Sequence, residues 1–129
     1  MIDNQIIATV IVHLFIAIVQ LMLWRKSTAQ RFLSVGGSLL VLVLAFKLFF
    51  KVYDGGILTM NAANWKAPFG IVFVADLFSS TLVLLTSIAG LAVSIFSCVG
   101  VGRQRILYGY FPIFHFLMMG LNGAFLTGD

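Results

Sequence analysis

The sequence predicts an all-α fold, an integral membrane bundle of four transmembrane helices with both termini on the outer side. Three observations lead there. First, 61% of the 129 residues are hydrophobic and only 9% charged, with a mean hydropathy of +1.11. A soluble domain is nearer 45–50% apolar and about 25% charged, so this chain has too few charges to cover a wet surface. Second, four apolar runs each approach or exceed the roughly 20 residues that a helix needs to cross about 30 Å of hydrocarbon. Third, the basic residues between those runs alternate in density from one connection to the next.

The first run covers residues 6–24 and closes on Arg25 and Lys26. The N-terminus ahead of it carries no basic region, and no small-residue cleavage site precedes Trp24, so the run is expected to stay as an anchor. The second covers 32–50 and ends in an aromatic and basic rim of Phe49, Phe50, Lys51 and Tyr53. The third covers 70–99, longer than the hydrocarbon requires. The fourth covers 106–126, kinked or opened near Pro112. None shows the polar/apolar alternation of a membrane barrel. The whole reads as a single transmembrane region over 1–129.

Orientation follows from the short connections. The first holds Arg25, Lys26 and Arg31, and the third holds Arg103 and Arg105. The second holds Lys51 and Lys66, with Asp54 between them. Positive residues favour the cytoplasmic side, which puts connections one and three inside and both ends outside. In the second connection Asp54-Gly55-Gly56 is turn chemistry, Trp65 suits the headgroup layer, and Pro68 suits a helix start. An extended or hairpin-like segment on the outer surface is expected there.

Small residues recur at four-residue spacing: Ser34 and Ser38; Gly90, Ser94 and Cys98; Gly120 and Ala124. Such rows let helix backbones approach closely in lipid. Cys98 is the single cysteine, which excludes an internal disulfide and reads as a small apolar residue within a helix.

The ionisable residues within the runs are the candidates for function. His115 lies near the centre of the fourth run, about 16 Å from its outer end by helical rise. An intramembrane imidazole can pass protons near neutral pH, while its structural reading is a neutral hydrogen bond between helices. His13 lies at comparable depth in the first run, where the structural reading is favoured. Asp76 comes early in the third run, about one turn from the outer boundary. Lys47 is one turn from the outer end of the second, where its stem can reach the headgroups. An ion pair between Lys47 and Asp76 is the functional alternative. All four acidic residues (Asp3, Asp54, Asp76 and Asp129) fall in the outer half of this arrangement.

The net charge of +4 comes from eight scattered basic residues without a basic stripe, so nucleic acid is not an expected partner. Neither a nucleophile elbow, a phosphate loop, a metal-spaced His/Cys set nor a dinucleotide fingerprint is present. An enzyme, a bound cofactor and a metal are therefore not expected.

Two stretches are more specific. Trp65-Lys-Ala-Pro-Phe-Gly-Ile, continuing to Val74-Ala-Asp-Leu-Phe-Ser79, resembles the start of the third helix in the D subunit of Mrp-type multisubunit sodium/proton antiporters. Phe114-His-Phe-Leu followed by Gly120-Leu-Asn-Gly-Ala-Phe-Leu-Thr-Gly-Asp129 resembles the end of that family's fourth helix. The family is related to the antiporter-like, proton-pumping subunits of respiratory complex I. The resemblance implies the N-terminal quarter of a longer subunit, with three peripheral helices and the opening helix of the first repeat. It implies other antiporter subunits as partners, sodium ions and protons as substrates, and a bacterial or archaeal plasma membrane.

By that resemblance Asp76 occupies the family's acidic position in the third helix, Asp129 belongs to the Thr-Gly-Asp motif, and His115 matches a frequent histidine. The family's ion path also relies on a glutamate in the fifth helix and on later lysines. This chain has no glutamate and ends where the family continues into its fifth helix. The expectation is a component, or an N-terminal fragment of one, that supplies scaffold and subunit contacts and does not conduct alone. Its ion-path candidates are Asp76, His115, Lys47 and Asp129. The alternatives are an independent small four-helix exporter and a purely structural membrane subunit.

Overall fold

The computed structural model describes residues 4–61 and 72–127. Its elements are α1 (Asn4–Met22), α2 (Ser27–Gly55), β1 (Leu58–Asn61), β2 (Val72–Ala75), α3 (Leu77–Gly100), α4 (Arg103–Leu107) and α5 (Tyr110–Leu126). The fold is dominated by helix. Two helices, α2 and α3, are long and apolar enough to cross a membrane; α1 and α5 are apolar but shorter. At 1.5 Å per residue, α2 is about 43 Å long and α5 about 25 Å. Helix α2 packs along α3, α1 lies against both α5 and α2, and α3 also meets α5.

Three boundaries differ from the sequence expectation. Helix α2 runs from Ser27 through Gly55, beyond the expected 32–50 at both ends, so Arg31, Lys51, Asp54 and Gly55 are helical and the chain turns only at Gly56, with φ 86°. Residues 72–75 are strand, not helix: β2 pairs antiparallel with β1 from Leu58↔Ala75 to Asn61↔Val72. The helix begins only after Asp76, which caps it. The hairpin-like segment is therefore present, and it extends into what reads in sequence as the third apolar run. A further bridge, Phe73↔Thr127, ties β2 to the residue just past α5. The fourth run breaks at Tyr108–Gly109 rather than at Pro112. Gly109 has φ 97°, a left-handed conformation that glycine adopts without a Cβ penalty. Pro112 then falls in the first turn of α5, where its missing N–H costs no helical hydrogen bond.

Burial is distributed in an unusual way. The buried side chains include Thr9, His13, Gln20, Ser34, Ser94, His115 and Asn122, while Phe32, Phe96 and Val99 are 76%, 74% and 91% exposed. A water-soluble protein places its large apolar groups inside. Here small and polar groups line the helix contacts and apolar groups face outward, as expected when lipid is the solvent. One end of the bundle has an apolar cluster of Ile6, Ala45, Leu48, Val52, Val83 and Leu126, covered by Ala75 of the hairpin. The opposite end carries Arg25, Lys26, Arg31, Arg103 and Arg105 in and beside the two short turns.

That second end is held by amides. Gln30 Nε2 donates to the carbonyls of Leu23 and Trp24, at 3.1 Å each, and Gln20 Nε2 donates to the carbonyl of Gln30 at 3.1 Å. Gln30 thus ties α2 to the carbonyls just past the end of α1, and Gln20 ties α1 to the first turn of α2. Ser97 and Tyr110 share a hydroxyl hydrogen bond of 2.7 Å that fixes the start of α5 against the end of α3.

Candidate functional site

Each helix buries one stripe. On α1 the buried positions are 6, 9, 13, 16, 17 and 20, and on α5 they are 111, 112, 115, 118, 122 and 126. Both follow the three- and four-residue steps of a helix face. These stripes bring His13 and His115 together with serines of α2 and α3, midway along the bundle.

The result is one hydrogen-bonded chain through four helices. His13 Nδ1 lies 3.0 Å from His115 Nδ1, with ring centroids 5.2 Å apart. His115 Nε2 lies 2.9 Å from Ser34 Oγ. Ser34 Oγ donates to Ser94 Oγ at 3.3 Å, and Ser94 and Ser38 share a hydrogen bond of 2.9 Å. All five side chains are buried.

One tautomer assignment is consistent with Ser34 donating to Ser94. Because the Ser34 hydroxyl donates to Ser94, Ser34 Oγ accepts from His115 Nε2–H. His115 Nδ1 is then an acceptor and takes the Nδ1–H of His13. That leaves His13 Nε2 as a bare acceptor, and it is buried without a partner among the described residues. The Nδ1–Nδ1 contact itself requires at least one neutral ring, since two imidazolium rings would present only donors. The pair therefore cannot be doubly charged in this geometry.

A second contact ties the same helices nearer the hairpin. Asn122 Nδ2 donates to the carbonyl of Thr9 at 3.2 Å, and its Oδ1 is buried without a partner among the described residues. At Gly90 a Cβ would meet the Sδ and Cε of Met118, so glycine permits the close approach of α3 to α5 beside the network. Such contacts give helices in lipid their main attraction.

The other sequence candidates lie elsewhere. Asp76 is the N-cap of α3: its Oδ1 accepts from the Ser79 N–H at 2.7 Å, and Ser79 Oγ accepts from the Asp76 N–H at 3.0 Å. The Ser79 backbone N–H and then its hydroxyl hold the Asp76 carboxyl below the usual carboxylate range. Lys47 is exposed on α2. Among the described residues, no ion pair or hydrogen bond joins Asp76 to Lys47 or to the histidines. Asp129 lies outside the described residues. Groups of three or more His, Cys, Asp or Glu able to hold a metal are absent among the described residues.

From sequence His115 stands out, His13 reads as structural, and Ser34, Ser38 and Ser94 read as spacers. Asn122 does not stand out at all. The available signal is depth: the two histidines sit at comparable levels in their runs. Which faces meet is decided only by the packing.

No protein-family model matches the chain. It is 35% identical over 127 residues to the D subunit of the Na(+)/H(+) antiporter of Alkalihalophilus pseudofirmus, covering 98% of this chain and 26% of that protein. It is 38% identical over 127 residues to the D subunit of the Na(+)/H(+) antiporter of Bacillus subtilis, with the same coverage. A protein of Rhizobium meliloti, named as the probable D subunit of a K(+)/H(+) antiporter, is 33% identical over 134 residues, 98% of this chain and 24% of that protein. The chain thus spans about a quarter of the length of the relatives it matches. The resemblance carried by two short stretches extends over nearly the whole sequence, and these relatives are named as transport subunits.

Proposed function

We propose, with homology to the N-terminal part of the antiporter D subunit as the premise, that this chain is a component of a multisubunit monovalent cation/proton antiporter. The observation that carries this reading is the similarity to that subunit along nearly the entire chain. In this role it is a multi-pass protein of the cell membrane, with α1, α2, α3 and α5 as four crossings. The connections bearing Arg25, Lys26, Arg103 and Arg105, the second of them including α4, lie in the cytoplasm, and both ends and the hairpin lie outside. The apolar exterior and polar helix contacts support the lipid setting, and the alternating basic turns support the orientation.

Its contribution is scaffold and subunit contact. The serine–histidine chain fixes the register of four helices, because in lipid a polar side chain finds its partner only on another helix or on the backbone. His115 is the ion-path candidate best supported by geometry, since it sits between a second imidazole and a serine chain. Asp76, Lys47 and Asp129 are weaker candidates, placed by sequence toward the outer end. Sodium or potassium is the exchanged cation, and the proton is its counter-ion.

The test compares the chain alone with the chain in its complex. Purified alone in proteoliposomes, it supports no cation-dependent proton flux; expressed with the other antiporter subunits, it copurifies with them. Robust exchange by the chain without companions rejects the component reading.

A further inference from the structure

The basic end of the bundle has two adjoining features that share side chains. A groove of ≈ 590 Å³ is lined by Arg25, Lys26, Arg31 and Arg103, with Ser27 and Thr28 of the first turn of α2. An apolar cleft of ≈ 320 Å³ adjoins it, lined by Thr28, Arg31, Phe32, Val35 and Cys98. A second, almost wholly apolar cleft of ≈ 490 Å³ lies between residues 11–16 of α1 and 32–40 of α2, so Phe32 lines that one too. The phenyl ring of Phe32 therefore lies between two apolar clefts, while Arg31 joins one of them to the basic groove.

We infer that this end binds one anionic diacyl phospholipid, its phosphate among Arg25, Lys26, Arg31 and Arg103 and its two chains either side of Phe32. Charge points there first. Four cations converge, and the two described carboxylates, Asp54 and Asp76, lie at the other end of the helices. Arg31 Nε is buried without a partner among the described residues. Ser27, Thr28 and Ala29, the first turn of the 29-residue α2, line the same groove, and no side chain caps that helix start.

The apolar clefts distinguish a lipid from a free anion. A soluble phosphate would use the groove and leave both clefts empty, whereas acyl chains fill them and cover Phe32, which is 76% exposed. A helix from a partner protein would fill one cleft and leave four cations without counter-charge. Basic pockets between membrane helices on the cytoplasmic side are sites where acidic headgroups bind. The inference concerns lipid alone, and its failure would leave the assignment to an antiporter complex standing.

Native mass spectrometry of the full chain in detergent provides the test. Dioleoyl phosphatidylglycerol is titrated against dioleoyl phosphatidylcholine, with inorganic phosphate as the soluble anion. The expected result is one phosphatidylglycerol retained at least about fivefold more tightly than phosphatidylcholine and not displaced by millimolar phosphate. Arg31→Gln and Arg103→Gln each weaken retention by about fivefold, while Arg105→Gln, outside the groove, weakens it by less than about twofold. Arg31→Lys keeps the charge and most of the preference, and circular dichroism identifies any variant that has lost helix. Equal retention of the two lipids, displacement by phosphate, or an equal loss in Arg105→Gln would each overturn the inference.

Discussion

The two halves of this bundle are held by different forces. At the hairpin end Ile6, Leu48, Val52, Val83 and Leu126 form an apolar cluster of the kind found in any protein interior. Midway along, His13, His115, Ser34, Ser94 and Ser38 form a polar chain in which every link joins two different helices. In water the first would dominate. In lipid, where tails are as apolar as leucine, helices gain little from hiding leucine, and close packing with interhelical hydrogen bonds carries more of the association. The apolar cluster therefore acts through shape, and the polar chain specifies which helices meet and at what level.

Four predictions probe that contrast, in order of expected effect, each read as a change in unfolding free energy in mixed micelles. Leu48→Ala empties a fully buried position in the apolar cluster and lowers stability by about 3 kcal/mol, as a cavity the helices cannot close. A loss below about 1 kcal/mol would mean that lipid or neighbouring chains refill the space. His115→Leu removes two hydrogen bonds and leaves His13 and Ser34 without their partner, a loss of about 2 kcal/mol. Adding His13→Leu restores part of that loss, because no orphaned imidazole remains; strictly additive losses would show that the two rings do not interact.

Asp76→Ala lowers stability by about 1 kcal/mol through the lost helix cap, while Asp76→Asn changes it little. The sign of its pH dependence follows from the depressed carboxyl. The cap contributes fully above the ordinary aspartate value of about 3.9 and fades as acid carries the pH down through the lower folded value. Asp76→Asn removes that dependence. The smallest effect is the coupling of Lys47 and Asp76. With Lys47 exposed and the Asp76 carboxylate taken by Ser79, a double-mutant cycle gives less than about 0.5 kcal/mol. A larger value would restore the ion pair as a functional element.

Much of this architecture is legible in the sequence. Apolar run length marks the helices, and of Asp54-Gly55-Gly56 only Gly56 marks the turn, since Asp54 and Gly55 still belong to α2. What periodicity cannot supply is the meeting of faces. His13 and His115 are 102 residues apart, and only the packing of α1 on α5 puts their Nδ1 atoms 3.0 Å from each other. The four-residue rows at Ser34, Ser38 and Ser94 look like spacers because a small side chain and a hydrogen-bonding one are the same residue there. Asp76-Leu-Phe-Ser79 is a capping box in plain view. It is obscured because Val72–Ala75 is as apolar as the helix that follows, so the run reads through the boundary. Pro112 draws attention to the break, but the glycine three residues earlier makes it, since proline in a first turn disturbs nothing.

The membrane arrangement requires the polypeptide to cross lipid four times with its arginine-bearing connections on one side. Single cysteines at Arg25, Asp54 and Arg105, in a Cys98→Ser background, can be labelled from either side of sealed vesicles with a membrane-impermeant maleimide. The predicted result is that Arg25→Cys and Arg105→Cys react from the same side and Asp54→Cys from the other. Labelling of Arg25→Cys and Arg105→Cys from opposite sides would contradict it, and with it the placement of the histidine pair at the centre of a four-helix membrane bundle.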